Sequence, residues 1–250
     1  MKRSSVVGLT TGLLILVLGA VSHAAPLRLR LDNLTTGQGV VITDNLAGDL
    51  AAAAGAITFS GTLGGGFAVN VTTGFSDPPV ATTAPNSLEL NSVNVNTAGS
   101  GALRITLEQD DYAGSGNLSV VANFAGTLTA PAGSTVAAQS YANGGNLVPT
   151  LGLDQGLGPI GAIGAIPAGS VAAFGPGGVV FGPGAFAATA SQPFTSGGAF
   201  SLFSQVTLTF TGPGSASFAE SQQAVPEPMS LALVGVALAG LGLTRRRKLR

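Results

Sequence analysis

Alternation of apolar and polar residues is the feature that most constrains the fold of this 250-residue chain. One side of the longest alternating segment consists of Phe200, Leu202, Ser204, Val206, Leu208 and Phe210, and the residues between them are mostly Ser, Thr and Gln. Successive side chains of a strand point to opposite faces, so a period of two predicts a β-strand with one buried face. We therefore expect Phe200, Leu202, Val206, Leu208 and Phe210 to point into a core.

The same period recurs earlier in the chain. Predicted strands cover residues 27–32, 40–43, 56–60, 67–72, 88–95, 103–108 and 118–124, and a final strand covers 215–219. The alternation changes parity between Leu90 and Val93, which predicts a β-bulge. Glycine- and proline-rich turn signals separate the strands, among them Gly114-Ser115-Gly116.

The predicted fold class is all-β, with one antiparallel β-sandwich over residues 25–222. Charged residues make up 8% of the chain, which disfavours amphipathic helices because these need charged side chains on their wet face. An isolated hairpin is marginal in water, so the strands must pair into a larger sheet. Residues 143–198 are rich in Gly, Pro and Ala and form an insertion. They are either disordered loops or segments whose Phe and Val side chains pack on the sheet.

Residues 1–24 have the pattern of a secretory signal peptide. Lys2 and Arg3 precede an apolar run, and small residues stand three and one places before a cut between Ala24 and Ala25. The alternative is an uncleaved membrane anchor, for which the apolar run is short. We expect the secretion translocon to export residues 25–222.

The other end of the chain has the pattern of a membrane tail. A linker over residues 223–228 contains Pro226-Glu227-Pro228, and an apolar transmembrane helix is predicted over 229–244. The basic tail 245–250 follows. Its stop-transfer cluster consists of Arg245, Arg246, Arg247, Lys248 and Arg250. The positive-inside rule keeps this cluster cytoplasmic and the preceding domain outside.

The motif, the apolar segment and the basic cluster, in this order, resemble the PEP-CTERM sorting signal of Gram-negative bacteria. The resemblance covers residues 225–250. It implies that exosortase, a membrane enzyme, reads Pro226, Glu227 and Pro228, cuts near them and passes the protein to the cell surface or the extracellular space. The inner membrane would then hold the protein only transiently. A plain C-terminal membrane anchor is the alternative.

Charge and composition exclude several functions for the middle of the chain. Between Ala25 and Ala224 there are three basic and ten acidic residues, a net charge of −7, which argues against a nucleic acid partner. The same stretch has no His, Lys, Cys, Trp or Met. It therefore lacks the groups for a catalytic triad, a Schiff base or a His/Cys zinc site. Paired carboxylates leave a glycosidase formally open. We predict a protein that is not an enzyme and has no cofactor.

Two acidic clusters are weak candidates for calcium, although no metal site is predicted. One is Glu108, Asp110 and Asp111, and the other is Asp44, Asn45 and Asp49. Calcium prefers several oxygen ligands, but neither cluster matches the Asp-x-Asp-x-Asp-Gly loop. The simpler interpretations are a solvated strand end leading into a turn for the first cluster and a turn or helix cap for the second.

Two functions remain open at this stage. The resemblance implies a structural or adhesive component of the cell surface or of an extracellular polysaccharide (biofilm) matrix. The alternative is a glycan- or protein-binding module of the cell surface, with calcium dependence left open. An exposed aromatic patch or a clustered acidic pocket would favour the binding module, and a polar surface without such features would favour the structural role.

Overall fold

The computed structural model describes residues 26–77, 86–151, 155–159 and 162–227, with only the backbone described for 72–77 and 155–157. This part of the chain is all-β and contains no helix. Its strands are β1 (Arg28–Asn33), β2 (Gln38–Thr43), β3 (Ala56–Leu63), β4 (Phe67–Asp77), β5 (Asn86–Thr97), β6 (Gly101–Thr129), β7 (Thr135–Asn143), β8 (Gln155–Pro159), β9 (Ser170–Ala172), β10 (Val179–Phe181), β11 (Gly184–Phe210) and β12 (Gly214–Pro226).

All strand pairings are antiparallel and join the strands into one 12-stranded sheet. The long strands β6 and β11 pair along their whole length and form its spine. The first part of β6 also pairs with β1, and its second part pairs with β12. The two long strands divide the sheet into two halves. The first half contains residues 101–109 of β6 and 202–210 of β11, together with β8, β2, β1, β7, β9 and β10. The second half contains residues 117–129 of β6 and 184–195 of β11, together with β3, β4, β5 and β12.

The sheet curls so that the inner faces of its two halves meet in one core. The rings of Phe67 in β4 and Phe210 in β11 lie 6.0 Å apart, which joins the second half to the first. The predicted inward set is confirmed, because Phe200, Leu202, Val206, Leu208 and Phe210 are at most 2% exposed. The antiparallel all-β class is therefore confirmed for the described residues.

The predicted bulge in β5 is also confirmed. Leu90 and Val93 are both buried, and Ser92 between them has a φ of 50°. On the neighbouring strand, the register shifts at the same level, between Phe218 and Glu220. The extra residue allows both apolar side chains to face the core.

The prediction of a turn at Gly114-Ser115-Gly116 is wrong, since β6 runs straight through it. Gly114 pairs with Gly198 of β11, and a side chain at Gly114 would lie 2.9 Å from the ring of Phe200. Glycine here makes room for a buried aromatic ring rather than a chain reversal.

The insertion at 143–198 contributes to the sheet where it is described. It contains β8, β9, β10 and the first part of β11. Phe186 and Phe194 are buried, and Phe174 and Phe181 are partly buried against the core. The interpretation that its apolar side chains pack on the sheet is therefore confirmed for these segments.

The last strand is longer than the sequence predicts. The predicted strand covers 215–219, but β12 continues to Pro226, through residues assigned to the linker 223–228. The continuation pairs with β6, from Gln223 opposite Val121 to Pro226 opposite Leu118. The alternation of buried and more exposed residues persists up to Ala224, which explains why the strand does not stop earlier.

Candidate functional site

The predicted sorting motif begins at the end of the sheet. Pro226 is the last residue of β12 and is exposed, and the Glu227 N–H donates a hydrogen bond to the Asn117 carbonyl of β6 at 3.3 Å. Pairing with β5 ends two residues earlier, at Ala224 opposite Asn86, so Pro226 lies where a missing N–H is tolerated. The folded domain therefore reaches the motif without an intervening linker.

The other residues of the predicted sorting apparatus lie outside the described residues. These are the cleavage site Ala24–Ala25, Pro228, the transmembrane segment 229–244 and the stop-transfer cluster Arg245, Arg246, Arg247, Lys248 and Arg250. Within the described ranges, no helix has the length and hydropathy needed to cross a membrane. The predictions for these segments stay predictions.

The first calcium candidate is not assembled into a metal site. Among the described residues, no group of three or more His, Cys, Asp or Glu side chains is placed to hold a metal ion. Asp111 sits mid-strand at a bulge with a φ of 61°, and its carboxylate accepts a hydrogen bond of 2.6 Å from the Asn146 amide. The interpretation of Asp110-Asp111 as a strand end is also wrong, because β6 continues beyond it.

The second calcium candidate stabilises a turn. Asp44 accepts a hydrogen bond from the Gly55 N–H at 2.8 Å, and Asp49 accepts bonds from the N–H groups of Asn45, Ala51 and Thr58 at 2.8–3.0 Å. Carboxylates that accept several backbone N–H bonds organise loops in this way. The turn interpretation of this segment is confirmed.

All three arginines between Ala25 and Ala224 lie together on the outer face of the first half. Asp32 is held between Arg30 and Arg104, each with an N–O distance of 2.7 Å, and Arg28 lies 3.3 Å from Glu108. Arg30 also donates to the Leu151 carbonyl at 2.7 Å. The side chains of Arg30, Asp32 and Glu108 are at most 6% exposed. Most of these charged side chains therefore form ion pairs or hydrogen bonds with other groups of the fold.

Two carboxyl groups in the structure have strongly raised pKa values. Burial raises the pKa of Glu108 to about 8, although the nearby Arg28 opposes this change. Burial also raises the pKa of Glu220 to about 7, while the hydrogen bond from the Ser140 hydroxyl opposes this change. Such values suit general acid–base chemistry, but both side chains are sealed from solvent.

Glu220 connects the two halves of the sheet inside the core. It lies on the inner face of β12, and the Ser140 hydroxyl of β7 donates to its Oε1. Its Oε2 has no hydrogen-bond partner among the described residues, and neither does the side chain of the buried Gln222. This buried polar pair was not predicted from the sequence. Extending the β12 alternation beyond Ala219 would have placed Glu220 and Gln222 on the buried face.

The exposed surface carries no aromatic patch among the described side chains. The large hydrophobic residues exposed there are all aliphatic: Leu34, Leu46, Leu50, Leu147, Ile166 and Val180. The outer face of the second half consists mainly of Asn, Ser, Thr and Ala.

No protein-family model matches the chain, and no curated protein matches it. Weak similarities to solved structures involve infectious bursal disease virus. The structure of its Gx strain has 13% identity and a TM-score of 0.34, with 82% of this chain and 56% of that chain covered. The Gt strain structure has 13% identity and a TM-score of 0.19, covering 90% and 72%. This chain thus spans just over half of the first of these proteins. At such TM-scores nothing about its function follows.

Proposed function

We propose that this protein is an exported, non-enzymatic structural component of the bacterial surface or of an extracellular polysaccharide matrix, sorted through a PEP-CTERM tail. The observation that carries the proposal is the junction at Pro226 and Glu227. The last strand is hydrogen-bonded up to the motif, so the folded domain abuts the segment proposed to enter the membrane. An enzyme reading the motif would meet it at a fixed position on the domain.

The distribution of charge and burial supports a structural role over catalysis. The carboxyl groups with strongly raised pKa values, Glu108 and Glu220, are 1% and 2% exposed, so substrate has no access to them. The acidic clusters at Asp44 and Asp111 are engaged in turn and bulge contacts. General acid–base catalysis requires a titratable group within hydrogen-bond reach of a substrate.

The proposal includes a finer description of the fold. We infer that the exported domain acts as a β-sandwich whose two layers are the halves of one curled sheet, followed by a transmembrane helix over 229–244. Support for the two layers comes from the Phe67–Phe210 contact and from the Ser140–Glu220 hydrogen bond across the core.

The tail can be tested by fractionating cells that make the full chain together with exosortase. For the wild type, mass spectrometry of surface material should find Ala25 first and residues 245–250 removed. Replacing Arg245, Arg246, Arg247, Lys248 and Arg250 by Ser should release uncut precursor into the periplasm, because the cost of moving these charges through the membrane, roughly 2.5–3.5 kcal/mol each, is lost.

The control is Gln223→Ala, which alters β12 outside the motif and should leave processing unchanged. If wild-type protein at the surface kept an intact C-terminus, the tail would be a plain membrane anchor and not a sorting signal. Normal retention and cleavage without the basic cluster would show that the apolar segment and the motif are sufficient.

The alternative of a glycan-binding module also has a specific observation in its favour. A shallow depression of about 220 Å³ lies on the outer face of the second half. It is lined mainly by Asn, Ser, Thr and Ala residues, together with the buried Phe124 and Glu220. A structural matrix protein and a glycan-binding module are compatible if the matrix itself is the ligand.

A further inference from the structure

The strand β11 has a long edge without a neighbouring strand. Residues 201–209 pair with β7 on one side of β11, and residues 184–200 and 202–210 pair with β6 on the other side. On the β7 side of residues 184–200, no strand in the described part of the chain pairs with β11. The same side of the same strand therefore accepts a neighbour in the first half of the sheet and is open in the second half. We call residues 185–193 on this side the β11 edge.

Three observations show which backbone groups of β11 point to the open side. Pro193 has no N–H, which a sheet tolerates where that N–H would point away from the neighbouring strand. The Thr195 carbonyl oxygen lies against Gly144, which follows β7, because a Cβ on Gly144 would approach it to 1.9 Å. The Thr189 hydroxyl donates to the directly opposite Asn123 at 2.9 Å, as is typical of the closer, non-hydrogen-bonded pairs of an antiparallel ladder.

These three residues of β11 share one backbone orientation, because the direction of the N–H and carbonyl groups alternates along a strand and they lie even numbers of residues apart. Within the β11 edge, the residues with this orientation are Ala185, Ala187, Thr189, Ser191 and Pro193, and all five are exposed. Their carbonyl groups, and the N–H groups of all but the proline, point away from β6. Such a row of donors and acceptors is the template for one more strand.

The other edge of the second half is closed by the chain itself. In β3, the Thr58 N–H donates to Asp49 at 3.0 Å, and the Thr58 carbonyl accepts from the Leu50 N–H at 2.8 Å. Directly after β3, the Gly64 carbonyl accepts a hydrogen bond from the Asn33 side chain. The loop after β2 and the end of β1 thus occupy backbone groups at two levels of this edge. In the described part of the chain, the β11 edge has no such cover.

The β11 edge also lacks the usual protection against pairing with another chain. Natural edge strands carry lysine, inward-pointing charges or bulges, which disfavour an added strand. Residues 184–200 contain no charged side chain, and neither do residues 117–129 of β6 beside them. The register with β6 is regular from Gly184 to Phe200. One protective feature is present, because Pro193 removes a single donor near one end.

The β11 edge is complementary to a second copy of itself. When two copies pair antiparallel about a two-fold axis at Thr189, this residue faces its own equivalent, and Ala187 of one copy faces Ser191 of the other. Ala185 then faces Pro193, so the missing N–H lies at the two ends of the contact and not at its centre. About eight backbone hydrogen bonds form in this arrangement. The side chains that face each other on the outer surface are small and uncharged.

We propose that two copies of this protein pair along the β11 edge, antiparallel and about a two-fold axis at Thr189, so that the sheet of one molecule continues into the other. The net charge of −7 between Ala25 and Ala224 makes two copies repel each other, and this repulsion is least where both present a charge-free edge. The contact is short and consists mainly of hydrogen bonds, so the dimer is weak and depends on concentration. The inference goes beyond the proposed function, since it gives the protein a defined contact with its own kind.

The test is oxidative cross-linking of the full chain, purified in a mild detergent. The chain has no cysteine, so a single-cysteine variant forms disulfides only between molecules. Thr189→Cys places two thiols opposite each other at the axis, at the Cα separation of about 5.5 Å of a hydrogen-bonded pair, which a disulfide spans. The control is Thr209→Cys, also exposed on β11 but at a position with a strand on both sides. Thr189→Cys should cross-link about tenfold faster or more, because pairing raises the effective concentration of its thiols.

Analytical ultracentrifugation gives a second measurement that needs no disulfide. The wild-type dimer should dissociate on dilution. Ala187→Pro removes one donor from each copy and no bond to β6, so it should weaken the dimer about tenfold. Thr189→Lys places two like charges opposite each other and should weaken it about three- to fivefold at low salt and less at high salt. Thr209→Lys, the matched control, should dimerise like the wild type, and circular dichroism of each variant checks that the fold is retained.

Equal cross-linking of the two cysteine variants would overturn the assignment to the β11 edge, and so would a dimer that Ala187→Pro and Thr189→Lys leave unchanged. A wild type that stays monomeric up to roughly 200 µM would overturn the inference as a whole. In such a monomer, slow hydrogen exchange of residues 185–193 would show that a segment of the same chain covers the edge. None of these outcomes depends on how the protein is sorted.

Discussion

Replacing Glu220 by Gln should stabilise the protein at high pH and leave it nearly unchanged at low pH. Glu220 lies in the core, with its Oε1 bonded to the Ser140 hydroxyl and its Oε2 without a partner among the described residues. Its pKa is raised from 4.5 to about 7 by burial. The folded protein therefore holds a proton that the unfolded chain releases.

The sign of the effect follows from proton linkage. Below pH 4.5 both states carry the proton, and this group does not alter the free energy of unfolding. Between pH 4.5 and about 7 the folded state binds more protons, so stability falls as pH rises, and above about 7 the loss is complete. A difference of about 2.5 pKa units corresponds to about 3 kcal/mol. Burial also raises the pKa of Glu108, so this group likewise lowers the free energy of unfolding as the pH rises.

Glutamine resembles the protonated acid and cannot ionise, so Glu220→Gln should abolish this part of the pH dependence. We expect the variant to match the wild type within about 1 kcal/mol at pH 4.5 and to exceed it by up to about 3 kcal/mol at pH 9. For a domain of this size the difference at pH 9 raises Tm by about 6–12 °C. Urea unfolding followed by far-UV circular dichroism measures both values.

The control is Glu89→Gln, the same substitution on the neighbouring strand β5 but on the outer face of the sheet. Because it leaves Glu220 in place, this variant should still lose stability as the pH rises from 4.5 to about 7. If Glu220→Gln and the wild type had equal unfolding free energies from pH 4.5 to 9, Glu220 would ionise without cost, and the reasoning from its burial would be refuted.

Two further predictions concern packing. Leu208→Ala should lower the free energy of unfolding by about 2–5 kcal/mol, because Leu208 is fully buried; a change near zero in urea unfolding would contradict the assigned core face. Gly126→Ala should destabilise the protein and Gly197→Ala should not, because a Cβ at Gly126 would lie 2.3 Å from the Ser217 carbonyl oxygen, whereas at Gly197 nothing lies within 4 Å. Equal Tm values for the two alanine variants would show that the sheet adjusts at Gly126.

The sequence by itself determined the class of the fold and much of its inner face. The alternation in residues 200–210 predicted which side chains are buried, and the parity change between Leu90 and Val93 predicted the bulge in β5. Both are local properties, because the side-chain period of a strand depends on its own backbone alone. The turn at Asp44–Asn45 is also a local property, because it depends on residues that are close together in the chain.

The candidate site was only partly predictable. The Pro-Glu-Pro motif was recognisable from three adjacent residues, but its attachment to β6 through Asn117 depends on a pairing over more than 100 residues of chain. The row of three alanines across the outer face of the second half is likewise invisible in the sequence. Ala125, Ala187 and Ala219 become neighbours only when β6, β11 and β12 pair in one particular register.

Where local sequence signals were ambiguous, the tertiary structure decided the conformation of the chain and the surroundings of its side chains. Gly114-Ser115-Gly116 has the composition of a turn, yet β6 continues there because β11 pairs alongside it and the ring of Phe200 occupies the space above Gly114. The alternation in β12 places Glu220 on the buried face, but only the tertiary structure shows that the Ser140 hydroxyl of β7 lies opposite its carboxyl group. The physical reason is common to these cases. A strand's own sequence sets which side chains share a face, whereas its partners and the opposing layer, which are distant in the chain, set what that face contacts.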